Sequence, residues 1–185
     1  MKNKQFQRLF DHSLRIQKQI LTLVILITFT WVYPAFAVGD STVFIILRHA
    51  EKTTTSDDPA LSSAGVERAN TLATMLAESG VTAIHSTDYN RTRATVEPLA
   101  KITALKTRLY DPAEPEFFLQ KLLDEGGRHV IAGHSNTVPE MVELLGADPG
   151  RELDEGGEYD RLYIITFHGG NPDSVLLRYG NPFIP

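Results

Sequence analysis

Cysteine is absent from all 185 residues. That excludes a disulfide framework, a thiolate zinc site, an iron–sulfur cluster and a cysteine nucleophile. Basic charge is scarce, with 18 Lys and Arg against 23 Asp and Glu and a net charge of −5. Such a balance argues against a nucleic-acid-binding chain, which carries a basic face. Repeats, low-complexity tracts and internal linkers are lacking as well. His49 and Glu51 do not have the spacing of a helical metal site, and nothing else offers a metal cluster. No metal and no cofactor is therefore expected. What remains is ordinary for a folded domain: 42% hydrophobic and 22% charged residues. This composition excludes collagen-like, coiled-coil and broadly disordered chains, and the length suits one domain.

One long uncharged run is present, and it stands at the amino terminus. Residues 1–18 carry Lys2, Lys4, Arg8, Arg15 and Lys18 against Asp11 alone. An apolar stretch from Ile20 to Tyr33 follows, then Pro34 and Ala35-Phe36-Ala37. A basic head, an apolar run and a small-x-small end form the pattern of a secretory signal, cut after Ala37. The alternative is an uncleaved anchor in residues 20–37, although Pro34 and the threonines weaken a span that needs about 20 apolar residues. The expected division is 1–37 signal and 38–185 domain, exported to the periplasm of a bacterial envelope. Membrane contact is expected only if the segment is retained. The 148 remaining residues hold 13 basic and 22 acidic side chains, a net charge of −9. An anion site in such a domain must be a local basic pocket.

Thr42 to Leu47 is a continuous β-rich apolar run, the mark of a strand buried on both faces. Ser62 or Ser63 caps a helix with Val66, Ala69, Ala73 and Leu76 on one stripe, ended by Gly80. Val81 to Ile84 and Leu105 to Leu109 read as short strands. A helix beginning near Asn90 carries Val96, Leu99 and Ile102, and Pro98 is expected to bend or shorten it. Phe118, Leu119, Leu122 and Leu123 repeat at helical spacing before Gly126-Gly127. His129 to Ala132 is a further buried strand, followed by a helix capped by Ser135 or Asn136 with Pro139 in its first turn. Asp148 to Asp160 is acidic and glycine-containing, so a surface loop is expected. Leu162–Phe167 and Val175–Tyr179 are late strands with a turn over His168–Asp173. Strands alternating with helices predict an α/β fold, a three-layer αβα sandwich with a mostly parallel central sheet.

In such sheets ligands bind beyond the carboxyl ends of the strands. Three places qualify: Arg48-His49 after the first strand, Arg91 and Arg93 after the second, and Gly133-His134-Ser135-Asn136 after the strand at 129–132. Each residue alone is a weak signal, since a histidine after a strand is commonly a satisfied polar residue and an arginine at a helix start is commonly a surface ion pair. Together they place two histidines, arginine side chains and two helix amino termini at one sheet edge, which suits phosphate. Gly133-His134-Ser135-Asn136 is superficially a serine-hydrolase elbow, but Thr137 stands where the second glycine is needed. His85, His129 and His168 read as ordinary structural or solvated residues, and Arg93 as a surface contact.

Leu47-Arg48-His49-Ala50-Glu51 resembles the Arg-His-Gly signature of the histidine phosphatase superfamily, also called phosphoglycerate mutase-like. Leu61-Ser-Ser-Ala-Gly65 resembles the stretch that opens its first helix. Ser86 through Arg91, Thr92 and Thr95 resembles its second motif, and Gly133-His134-Ser135-Asn136-Thr137 its third. The motifs fall in the family's order between about residues 42 and 167. Ala50 departs from the commonest glycine. The resemblance implies that His49 is the nucleophile that forms a phosphohistidine, with Arg48, Arg91 and His134 binding phosphate oxygens and stabilising charge. Arginine suits this work, because its planar fork pairs with phosphate bidentately. A neutral imidazole is a competent nucleophile near physiological pH.

Glu51 and Asn136 are further candidates for substrate contact, with Glu51 and Lys52 either at the pocket mouth or paired in solvent. The family places a general acid between the second and third motifs, where Asp111 is the first choice on position and Glu114 and Glu116 the alternatives. The expected activity is metal-independent hydrolysis of a small phosphorylated substrate. A phosphomutase is disfavoured by the short inter-motif segments, and a cytoplasmic protein-phosphohistidine phosphatase by the leader. A catalytically silent phosphate-binding protein is the alternative from another class.

Overall fold

The computed structural model describes residues 41–54, 56–168 and 171–184. The expected signal or anchor in residues 1–37 lies outside the described residues. Ten elements run in chain order: β1 (Thr42–Arg48), α1 (Ser63–Leu76), β2 (Ala83–Ser86), α2 (Asn90–Thr103), β3 (Thr107–Leu109), α3 (Pro115–Glu125), β4 (Arg128–Gly133), α4 (Thr137–Leu144), β5 (Arg161–His168) and β6 (Asn171–Arg178). The strands form one sheet in the order β3-β2-β4-β1-β5-β6. The first four are mutually parallel, and β5 and β6 add an antiparallel margin.

The unbroken apolar run of β1 follows from its central place. Val43, Ile45 and Leu47 pack on one face against Leu72 and Leu76 of α1 and Val96 and Leu99 of α2. Phe44 and Ile46 point to the other face and meet Leu119 and Leu122 of α3 and Met141 of α4. Side chains that alternate between two helix-covered faces must both be apolar, which gives the three layers. Each fully buried side chain of this kind contributes about 1.5–3 kcal/mol.

Several local expectations shift. Ser62 is the N-cap of α1 and its hydroxyl accepts from Gly65 N at 3.2 Å. The buried stripe of α1 is Gly65, Arg68, Ala69, Leu72, Ala73 and Leu76, while Val66 is turned to solvent. The helix ends at Leu76 and the chain reaches Gly80, at φ +72°, one turn later. Ile102 is exposed too, and α2 continues through Pro98 to Thr103. The strands expected at 81–84 and 105–109 occupy 83–86 and 107–109. At the hairpin His168 pairs with Asn171, so the strands cover most of the expected turn.

The loop over 148–160 is the largest departure. Leu153, Glu158, Tyr159 and Asp160 are buried. The Glu158 carboxylate accepts from Arg161 Nε at 2.7 Å, Arg178 Nη1 at 2.7 Å and Arg151 at 3.0 Å. A buried carboxylate needs such partners, and they hold it at a pKa of about 2 against its own desolvation.

Candidate active site

Sheet register assembles the site. Parallel pairing sets Arg48 beside Gly133, and His49 N donates to Gly133 O at 2.9 Å. Arg48-His49 and Gly133-His134 therefore leave the sheet side by side. Their rings lie 5.5 Å apart between centroids. β2 pairs with β4 up to Ser86–Ala132, which delivers Thr87 to the same edge. Its hydroxyl lies 2.9 Å from His134 Nε2. From α2, Arg91 enters the group and Thr95 Oγ1 accepts from Ala50 N at 2.9 Å. The second motif thus braces the backbone of the first.

His49 is almost wholly buried. Its Nδ1 lies 2.8 Å from Ala50 O, an acceptor only, so Nδ1 carries the proton. Nε2 then holds the lone pair, and Arg91 Nε donates to it at 3.2 Å. Burial, with Arg48, Arg91 and His134 nearby, pushes the His49 pKa down to about 3. Burial and the two arginines take His134 to about 4. Both imidazoles are neutral at ordinary pH.

His85 is the third depressed imidazole, at about 3 through burial and its neighbour His129. Its Nε2 is 3.1 Å from His129 Nδ1 beneath the sheet, so this pair is structural. The sign of the stability effect follows. Below about pH 6.5 the unfolded chain takes up protons that the folded chain refuses, so stability falls as pH drops toward the folded values. Each imidazole contributes a slope of up to about 1.4 kcal/mol per pH unit. The thermal midpoint is expected to fall steadily from pH 6.5 to 4.5 in a calorimetric series. A flat midpoint over that window would contradict neutral buried imidazoles.

Arg48 lies against Tyr159, its guanidinium carbon 4.1 Å from the ring centroid. Nη1 donates to Asp154 O and Glu158 O, and Nη2 to Glu155 O. Arg91 sits 4.5 Å over the Tyr89 ring, with Nη1 3.6 Å from Asp58 Oδ1. A cavity of about 570 Å³ opens here, and its wall includes Arg48, His49, Arg91, His134 and Asn136.

The structure brings together Arg48, His49, Arg91 and His134, with Asn136 at the wall. It does not bring in Glu51 or Asp111. The Glu51 carboxylate is held by Arg68 at 2.7 Å, and Arg68 also reaches Asn181 O. This pairing seats α1 against the first motif, where a Cβ on Gly65 would fall 2.1 Å from Glu51 O. Asp111 is exposed, and its carboxylate accepts from Ala113 N at 2.9 Å, closing its own turn before α3. Glu114 and Glu116 are likewise outside the cavity wall. The carboxylates on that wall are Asp57 and Glu155. Arg93 pairs with Asp88 at the surface. Asp58, Thr87, Tyr89 and Tyr159 were not singled out from the sequence. Only the place of Thr87 and Tyr89 just after β2 offered a signal. Among the described residues no group of three or more His, Asp or Glu is arranged to hold a metal.

Fold and site together define an α/β protein with a neutral histidine set among arginines at the carboxyl edge of a parallel sheet. Residues 44–112 match the model of the histidine phosphatase superfamily, branch 1. The fold is shared with the protein histidine phosphatase SixA, solved with tungstate, at TM-score 0.61 and 16% identity over 74% of this chain and 97% of that one. A mycobacterial glucosyl-3-phosphoglycerate phosphatase aligns at TM-score 0.60 and 14% identity, over 75% of this chain and 98% of that one. A phosphoserine phosphatase from Entamoeba histolytica, in complex with 3-phosphoglyceric acid, aligns at 0.56 and 16%, over 76% and 98%. No curated protein matches the chain in sequence.

Proposed function

We propose that the chain hydrolyses phosphomonoesters of small substrates through a phosphohistidine on His49. The observation that carries this reading is the fixed tautomer: Nδ1–H is committed to Ala50 O, and the Nε2 lone pair meets Arg91. In the first half-reaction Nε2 attacks phosphorus and the bond from phosphorus to the leaving oxygen breaks. Arg91, Arg48 and His134 neutralise charge on the phosphoryl oxygens, and Ala50 O supports the imidazolium that forms. Phosphate oxygens take over the Arg91 donor that His49 holds in the free site. In the second half-reaction water attacks phosphorus, the P–N bond breaks and His49 returns to its neutral form with inorganic phosphate released. His134 keeps its place through Thr87.

The leaving oxygen needs a proton, and the proposed donors are the cavity carboxylates Asp57 and Glu155 rather than Asp111. The test is release of phosphate from p-nitrophenyl phosphate and from an alkyl phosphate, with EDTA present. Turnover is expected in the wild type. Asp111→Asn is expected to stay within about threefold of it on both substrates. Asp57→Asn or Glu155→Gln is expected to lose about 10²-fold on the alkyl phosphate, whose leaving group depends on the proton, and much less on the aryl one. A large, alkyl-selective loss in Asp111→Asn would return the acid to that residue.

A further inference from the structure

Glu158 and Arg161 are buried charged groups that take no part in the proposed chemistry. Arg48 is buried, and its two terminal nitrogens give three of their four N–H donors to main-chain carbonyls of the 154–158 turn, at 3.1 Å to Asp154 O, 3.0 Å to Glu158 O and 2.7 Å to Glu155 O. Among the described residues, Nε is the nitrogen of this guanidinium without a hydrogen-bond partner. A guanidinium held by carbonyls is only as well placed as the backbone that carries them.

That backbone is fixed by Glu158. Its carboxylate accepts from Asp154 N at 3.0 Å, across the turn, and from Arg151, Arg161 and Arg178. Glu158 N donates to Asp154 O, and Asp154 Oδ1 accepts from Gly157 N at 2.8 Å. Arg161, itself buried, continues to Pro149 O and Arg151 O, so the same network ties the turn to β5. Beside it Tyr159 lays its ring under Arg48.

We propose that Glu158 is a positioning residue for Arg48: its carboxylate fixes the 154–158 turn, and the turn's carbonyls hold the guanidinium in the phosphate site. The proposal rests on the reading of Arg48 as a phosphate ligand. The turn takes three of the five guanidinium N–H donors, which leaves Nε–H and one Nη2–H for phosphate. Glu158 does not line the cavity, and its effect on phosphate binding runs through Arg48.

A double-mutant cycle on the full chain tests this, read as the Kd of inorganic phosphate and as kcat and KM on p-nitrophenyl phosphate. Glu158→Gln removes the carboxylate charge. Asp154→Ala is the second variant, which loosens the turn by an exposed side chain and leaves no buried charge unpaired. Each is expected to weaken phosphate roughly tenfold in the wild-type background and less than about twofold when Arg48→Ala is already present. Equal losses in both backgrounds, or full phosphate affinity in a folded Asp154→Ala protein, would overturn the proposal while leaving the phosphate site intact. Full affinity in Arg48→Ala alone would overturn the reading of the site itself, and this proposal with it.

Discussion

His49→Ala is expected to lose about 10⁴-fold or more in kcat on p-nitrophenyl phosphate while the protein stays folded. The substitution removes the only group proposed to bond covalently to phosphorus, and with it the division of hydrolysis into two easier steps. A loss of that size is about 5.5 kcal/mol of transition-state stabilisation. The arginines remain, so phosphate binding is expected to persist within about tenfold, and the loss falls on kcat rather than KM. Folding survives because the buried imidazole is neutral and its removal leaves no charge unpaired. Steady-state kinetics with a thermal melt reads both quantities.

Arg91→Ala is expected to lower kcat/KM by about 10²–10³-fold, the usual consequence of deleting one preorganised donor to a charged transition state. Arg91 is placed by three contacts that an ammonium cannot reproduce together: stacking over Tyr89, Nη1 near Asp58, and Nε directed at His49 Nε2. Arg91→Lys is therefore expected to recover less than a tenth of the loss, because a point charge does not match the planar fork. Removing Arg91 also removes a positive neighbour that depresses both histidines, so the His49 and His134 pKa values are expected to rise in the variant. A titration of the imidazole C–H resonances by NMR checks the second effect independently of turnover.

The parts of the site that were legible in the sequence are those built by one strand and the residues just beyond it. The apolar run of β1 required two covered faces, which required a sheet with helices on both sides, which put Arg48-His49 and Gly133-His134 at a common edge. The unread parts depend on partners far along the chain. Glu51 looked available because Arg68 lies 17 residues away on α1. Glu158 and Asp160 looked solvated because acidic, glycine-rich segments usually are, yet Arg161 and Arg178 reach them from the antiparallel margin. Asp111 followed a strand as expected, but its carboxylate satisfies its own turn before it can face the cavity. Val66 fell one position off the buried stripe of α1, a shift that an apolar residue at the start of a helix does not reveal.

In the proposed mechanism phosphorus is bonded to His49 Nε2 during turnover. The direct measurement is rapid quench of the full chain with ³²P-labelled aryl or acyl phosphate into alkali, where a phosphoramidate survives, followed by peptide mapping. An acid-labile label is expected on the peptide containing His49, formed at the rate of leaving-group release and absent from His49→Ala. Label on any other residue, or turnover within about tenfold of wild type in His49→Ala, would contradict it.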